Sequence, residues 1–414
     1  MKKSLLVVLE FLLLTSCTRN WPSQTVMPLP PPGVTYVTAT IANLVETDTP
    51  IVSTTPLLSF ESATLVAPTS TVVAIQPPVL ATDRLVVTVI PPLLGSIKYG
   101  VHVLDPVSSS GLAASLGISL VKIQVRWSQI QQCGFEPDWG VIGFQIDAIK
   151  AAGLEVVMSV VTTPPCLNSA NKENFPPDDP QQYANFVGQL ASMYHPYAIE
   201  VWNEENLDRE WGVPDPANYI ALLAATRHAI KENSPTTMVI AGALAPTWHN
   251  PPAHWDDLVF WQEFGQLGGY QLADCVGVHV NSLSFPPSYS LTNPYGGFDH
   301  HSWYFVDTVL GSVSATGLPA CITEFGVATP GSVGSVPGGF GWAQNTSLEQ
   351  QAEWLVEGIR LAERYGNIKM MIFWNLDFSP ACGGCVDEKS PFSLLDKNGN
   401  PLPAYWAIKQ ALGH

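Results

Sequence analysis

From residue 97 onward the chain alternates between short apolar runs and longer segments of helical period. The runs at 97–103, 120–127, 154–161, 199–204, 237–244, 275–282, 320–326 and 369–376 predict eight strands. Between them, apolar positions recur at helical spacing over 138–152, 181–194, 216–233, 255–267, 302–315, 348–365 and 404–412. The first connection, 108–116, carries the faintest helical pattern. Gly117, Gly153, Gly317 and Gly366 each fall just before a strand, where a helix end commonly turns through the left-handed region. Eight strand–helix units in some 320 residues predict an α/β chain folded as a (β/α)8 TIM barrel. A doubly wound sheet alternates in the same way, but no glycine-rich phosphate loop follows the first strand. In such a barrel, function sits at the C-terminal ends of the strands. Those ends carry His102, Arg126 with Trp127, Thr162-Thr163, Asn203-Glu204-Glu205, His279 with Asn281, Glu324 and Trp374-Asn375. The strand interiors are apolar apart from Lys122, Gln124 and Glu200.

The first 95 residues follow neither period. Lys2 and Lys3 precede an apolar run over 5–14 that ends in Thr15-Ser16-Cys17, the pattern of a secretory signal. The run is too short to span a membrane comfortably. Leu14-Thr15-Ser16-Cys17 resembles a bacterial lipobox, which implies a lipoprotein-type signal peptide over 1–16 and a lipid anchor on Cys17. Residues 18–95 hold 12 Pro and 14 Thr in 78 positions, a composition that cannot pack a core and suits a disordered, semi-stiff linker. The domain reading is therefore signal 1–16, anchor and linker 17–95, and barrel 96–414. The export signal implies a cell-surface or extracellular location.

Charge narrows the partners. The net charge is −17, and the barrel carries nearly all of it, with 14 basic and 30 acidic side chains after residue 95. Nucleic acid and anionic membranes need a basic face, so neither fits; the membrane is reached only through the anchor.

Two glutamates carry the chemistry. Ile199-Glu200-Val201-Trp202-Asn203-Glu204 puts one at the end of the fourth strand, and Cys321-Ile322-Thr323-Glu324-Phe325-Gly326 puts another at the end of the seventh. Two carboxyls facing one bond from opposite sides of a cleft are what glycosidic cleavage requires. Trp202-Asn203-Glu204 and Thr323-Glu324-Phe325-Gly326 resemble the two signatures of the clan A glycoside hydrolases, nearest to families 39 and 5. The stretch 393–405 resembles the clan's last loop and helix, so the likeness runs over 97–413. It implies a retaining double displacement with Glu204 as acid/base and Glu324 as nucleophile, their carboxyls about 5–5.5 Å apart. Glu205 is the rival acid. Strand alternation places Glu200, Trp202 and Glu204 on one face and favours Glu204.

The resemblance assigns further roles. Arg126 matches the clan's arginine beside the nucleophile, and Asn203 the residue that bonds the sugar 2-hydroxyl. Trp374 matches the tryptophan that floors the sugar site. His279 matches a histidine on strand six, which many members follow two residues later with Tyr. Here that place is Asn281, which leaves open what orients Glu324; Tyr295 and Tyr304 in the following loop are candidates. His102 is placed to bind a sugar hydroxyl. Trp211, Trp248, Trp303 and Trp342 are candidates for further subsites.

Beyond Cys17, six cysteines remain in an exported chain, which permits disulfides. Cys133 and Cys166 follow neighbouring strands and are placed to bridge; Cys382 and Cys385 suit a local bridge. Cys275 shares a strand face with His279, whereas Cys321 lies opposite to Glu324. One then points inward and one outward, and both are expected to stay reduced. Asp299-His300-His301 lacks a third ligand by spacing, so neither metal nor cofactor is expected. The function that emerges is a monomeric, surface-tethered β-glycosidase acting on poly- or oligosaccharides. A glycan-binding barrel without turnover and a transglycosylase are the alternatives.

Overall fold

A computed structural model describes residues 96–292 and 298–413. The expected signal, Cys17, the linker and Tyr295 lie outside these residues. Eight parallel strands close in sequence order into a barrel. They are β1 (Lys98–His102), β2 (Leu120–Arg126), β3 (Glu155–Val161), β4 (Ala198–Val201), β5 (Met238–Leu244), β6 (Cys275–Val280), β7 (Ala320–Phe325) and β8 (Ile368–Phe373), with β8 pairing back onto β1. Eight main helices follow the strands: α1 (Pro106–Ser115), α2 (Gly140–Ala151), α3 (Pro180–Tyr194), α4 (Pro216–Asn233), α5 (Asp257–Gln266), α6 (Phe305–Thr316), α7 (Leu348–Tyr365) and α8 (Pro403–Ala411).

Local chemistry sets the helix ends. Asp215 caps α4 by accepting from the amides of Ala217 and Asn218, and Pro216 sits where an amide would be unpaired. Ser347 and Gln350 form a reciprocal capping box on α7, which stops at Gly366 with φ +69°. Outward strand residues such as Val121, Ile123 and Val125 pack against the helices in one large core. A second apolar cluster, made by Leu120, Val157, Ala198, Ile240, Cys275, Cys321, Met370 and Ile372, fills the barrel floor. No described helix is long and apolar enough to cross a membrane.

Two departures from strand periodicity correct the sequence reading. β4 ends at Val201, not at 204, because Trp202 and Glu204 adopt φ of +71° and +54°. The kink sends Trp202 outward onto Tyr183 and Trp211, so Glu200, Trp202 and Glu204 do not share a face. In β7 the register with β6 slips: Val278 pairs with Ile322, but His279 pairs with Glu324. The extra residue, Thr323, restores the inward phase, so Cys321 and Glu324 both face the lumen. Cys275 and Cys321 are accordingly joined, with Cα atoms 5.8 Å apart, and not reduced. Cys133–Cys166 and Cys382–Cys385 are also bonded.

Candidate active site

The two kinked strand ends converge. Glu204, held by its amide on the Ala243 carbonyl at 2.8 Å, turns its carboxylate over the barrel mouth. Glu324, 5% exposed, rises from β7 opposite to it. His279 lies between them, its Nδ1 3.1 Å from Glu204 Oε1 and 3.5 Å from Glu324 Oε2. A carboxylate oxygen of each glutamate and a ring nitrogen of His279 all lie within 4.8 Å of one another.

Each carboxylate has its own cation. Arg209, on a helical turn at Asp208–Trp211, places Nη2 3.3 Å from Glu204 Oε2. Lys122 reaches up from the lumen face of β2, its Nζ 3.6 Å from Glu324 Oε1 and 3.1 Å from Glu200 Oε1. Lys122 also donates to the Thr323 carbonyl at 3.4 Å, and Ser159 Oγ donates to Glu200 Oε1 at 2.9 Å. Both Lys122 and Glu200 are fully buried. Asn281 Nδ2 donates to Glu324 Oε2 at 3.2 Å, so the asparagine itself fills the orienting place left open by the missing Tyr. Tyr304, the other described candidate, donates its hydroxyl to the Phe298 carbonyl. Two imidazole-bridged carboxylates could hold a cation, but Arg209 and Lys122 already bring positive charge to them.

Burial would raise the carboxyl of Glu204. The hydrogen bond and charge of His279, with the Arg209 guanidinium, outweigh it and bring the pKa down to about 2. Burial lifts Glu324 above its ordinary value; His279 and Lys122 work against that rise, while Glu204 and Glu200 add to it. For His279, burial disfavours the cation, yet the two flanking carboxylates prevail and raise its pKa. Glu205 is 0% exposed and its carboxyl is packed against Gly242, where a Cβ would collide with it. Burial pushes Glu205 well above the usual carboxylate range. Geometry therefore puts Glu204, not Glu205, in the cleft, through the kink and not through alternation.

The remaining candidates divide. Asn203 is 7% exposed, and its buried Oδ1 makes no hydrogen bond. His102 stands edge-on to Trp374 at 4.7 Å, held neutral by burial and by the charges of Lys122 and Lys389. Trp374 is half-buried at the mouth, and its bond to Asn375 is cis. Arg126 pairs with Glu173 at 3.2 Å, and Lys122, four residues earlier on β2, is the cation beside Glu324. Trp211 is 1% exposed, wedged against Trp202 and Tyr219, which corrects its reading as a sugar platform: the turn at Asp208–Trp211 folds the ring into the core. Trp303, Trp342 and Phe340 form a partly open aromatic row, and Trp248 is 45% exposed. Sequence reasoning missed Lys122 and Arg209. A lysine inside an apolar strand was the available signal for the first; nothing local marks the second.

No known family profile matches the sequence, and no curated protein is similar to it. Solved structures are similar in fold. A family 39 glycoside hydrolase from Bacteroides cellulosilyticus superposes with a TM-score of 0.56 at 17% identity, over 77% of this chain and 65% of that one. The chain thus spans about two thirds of that enzyme's length. A monomeric β-xylosidase from Caulobacter crescentus gives 0.53 at 20% identity, over 77% and 68%. A family 5, subfamily 18 enzyme from Streptomyces cattleya, solved with GlcNAc, gives 0.53 at 15%, over 77% and 80%. At these identities the likeness establishes a shared fold, the (β/α)8 barrel.

Proposed function

We propose that the barrel is a retaining glycoside hydrolase that cleaves β-linked poly- or oligosaccharides. The observation that carries this reading is that an oxygen of Glu204 and an oxygen of Glu324 lie within 4.8 Å of each other beside His279. Retaining enzymes keep their carboxyls about 5–5.5 Å apart, whereas inverting ones leave about 6.5–9.5 Å for a water. Glu324 attacks the anomeric carbon while Glu204 gives its proton to the departing glycosidic oxygen. The resulting ester is then cleaved by a water that passes its proton to Glu204.

The proton that Glu204 needs is already at hand. In the form with both carboxylates ionised, Glu204 is hydrogen-bonded to a protonated His279 whose proton affinity is raised. Moving that proton across the 3.1 Å contact from Nδ1 to Oε1 gives neutral Glu204, neutral His279 and ionised Glu324. The reactive form is thus a tautomer of the doubly ionised one and requires no net proton uptake. An aglycone that displaces the half-exposed Arg209 removes the charge that favours ionised Glu204 and drives the shift. Asn203, with its unpaired Oδ1, is the group offered to the sugar 2-hydroxyl, and Trp374 to the ring face.

The proposal extends to location: export by residues 1–16, with lipidation of Cys17 and the 17–95 linker holding a monomeric barrel off the surface. Labelling by radioactive palmitate, abolished in Cys17→Ser, tests it. Activity is tested by reducing-end release from xylan, mannan and mixed-linkage β-glucans, with NMR of the first anomer formed. The β-anomer is expected, and no release in Glu324→Ala. An α-anomer refutes retention, and release that survives Glu324→Ala refutes the site.

A further inference from the structure

We propose that Asp256, His300 and His301 form a divalent-cation site, for zinc foremost, that ties the loop after β5 to the loop after β6. This site is separate from the glutamate pair and does not depend on the glycosidase reading. Sequence spacing offered only the adjacent histidines; the fold brings Asp256 to them from 44 positions away.

The donor atoms are arranged for one ion. Asp256 Oδ1 is occupied in capping α5, accepting from the Val259 amide at 3.0 Å. Its other oxygen, Oδ2, lies 2.9 Å from His300 Nε2 and 4.0 Å from His301 Nδ1. All three donors fall within 4.8 Å of one another. With zinc bonds of about 2.0–2.1 Å in a tetrahedron, two donors of one ion stand about 3.4 Å apart, so binding opens the Asp256–His300 contact and draws the wider pairs together by roughly half an ångström to an ångström or more.

An independent observation fixes the tautomer. His301 Nε2 lies 2.8 Å from Asp257 Oδ1, so that nitrogen carries the proton and donates to the carboxylate. The lone pair is left on Nδ1, which makes no hydrogen bond among the described residues, although His301 is only 8% exposed, and it faces Asp256 and His300. A carboxylate behind a histidine, with the free nitrogen turned to other donors, is the outer-shell arrangement of metal-binding histidines. His300 differs: its Nδ1 accepts from the Ser302 amide at 3.3 Å, so Nε2 carries the proton and donates to Asp256. Binding an ion through Nε2 displaces that proton, and the ring then carries one on Nδ1, 2.8 Å from Ser302 Oγ, which accepts from it.

Charge points the same way. Among the described residues, Asp256 and Asp257 pair only with these two histidines and with no lysine or arginine. At Glu204 and Glu324 the positive charge is supplied by Arg209 and Lys122; here an ion has that place to itself. Two imidazoles and one carboxylate suit zinc and its neighbours in the first transition row, and do not suit calcium. The Trp248 ring lies 4.1 Å from the His300 ring, so an ion on His300 also fixes this exposed indole at the barrel top.

The test is calorimetric titration of zinc chloride into the chelator-treated full chain, with thermal melts beside it. One equivalent is expected to bind at micromolar affinity or tighter and to raise the melting temperature. Asp256→Asn, which keeps an oxygen for the α5 cap, and His300→Gln, at a partly exposed residue, are each expected to weaken binding at least tenfold. Asp257→Asn weakens it about 10–100-fold. Glu324→Gln is expected to leave it unchanged. If His301→Gln fails to fold, the other variants still decide. No binding, binding that survives both Asp256→Asn and His300→Gln, or binding lost in Glu324→Gln overturns the proposal.

Discussion

Lys122 is the residue whose removal tests the electrostatics of the site most directly. Its Nζ stands 3.6 Å from Glu324 Oε1 with both groups buried. At an effective dielectric of about 20, two unit charges at that distance attract by about 4–5 kcal/mol. The attraction is not all available to Glu324, because Lys122 is also paired with Glu200 at 3.1 Å. Lys122→Met alone leaves Glu200 buried without a counter-charge, a defect worth about 3–5 kcal/mol of stability. The informative protein is therefore Lys122→Met with Glu200→Gln, in which the amide oxygen still accepts from Ser159 Oγ. This pair removes the cation that lowers the Glu324 carboxyl and the weaker, like-charged influence of Glu200 that raises it. The net effect is upward. Glu324 must be ionised to attack, and the acid limb of kcat/KM reports that ionisation in the free enzyme. The limb is expected to move to higher pH by about 1–2 units, equivalent to about 1.4–2.8 kcal/mol. Below the wild-type limb, activity then falls by about 10–100-fold. The assay is the pH dependence of kcat/KM on whichever glycan the wild type cleaves, with melts to confirm folding. A folded double variant whose acid limb stays in place refutes the assignment of Lys122 as the charge that keeps Glu324 ionised.

Arg209→Ala removes the guanidinium beside Glu204, so the Glu204 carboxyl rises and the basic limb of kcat/KM shifts to higher pH. Because Arg209 is half exposed, the energy at stake is up to about 1 kcal/mol, roughly fivefold in rate on the basic side; a shift to lower pH sinks this reading. Glu205→Gln is expected to stay within about 1 kcal/mol of wild type near neutral pH and to keep its activity, whereas Glu204→Gln loses turnover. The folded pKa of Glu205 is raised, so its contribution to stability is full below the unfolded pKa and is lost as pH rises through the folded one. Urea melts of wild type should accordingly lose ground to Glu205→Gln as pH increases, and a constant gap would contradict this. Replacing Cys275 and Cys321 by Ala reopens a loop of 46 residues, which costs about 2–4 kcal/mol in the same melts. In the native protein dithiothreitol should reach the exposed Cys133–Cys166 bond and the Cys382–Cys385 bond before the buried Cys275–Cys321 bond, as alkylation and mass mapping would show.

What the sequence could and could not reveal follows the same physical line. α4 and α7 fall on their expected bounds, 216–233 and 348–365, because Asp215-Pro216 and the Ser347/Gln350 box are local signals that need no tertiary partner. The barrel was legible for a related reason: eight apolar runs separated by amphipathic segments leave few ways to bury both faces of a parallel sheet. Strand phase is different, since one residue out of register reverses every face beyond it. The phase failed at Trp202–Glu204, where the backbone turns left-handed, and at Thr323, where β7 bulges. Counting by twos through those points placed Trp202 beside Glu204 and sent Cys321 outward. Lys122 was visible as an oddity, but its role depends on Glu200 and Glu324 meeting it across the lumen, and register of that kind is not written in any one strand. Asp256 with His300 is the same case between loops. Of the breaks in periodicity, these two lie at the two carboxylates, and both serve one end. A regular strand would have left Glu204 in line with Glu200, and an unbulged β7 would have turned Glu324 into the helix shell. Irregular backbone is thus the means by which two glutamates from opposite sides of the barrel come to face one another, and a sequence rule that assumes regularity fails where the chemistry is built.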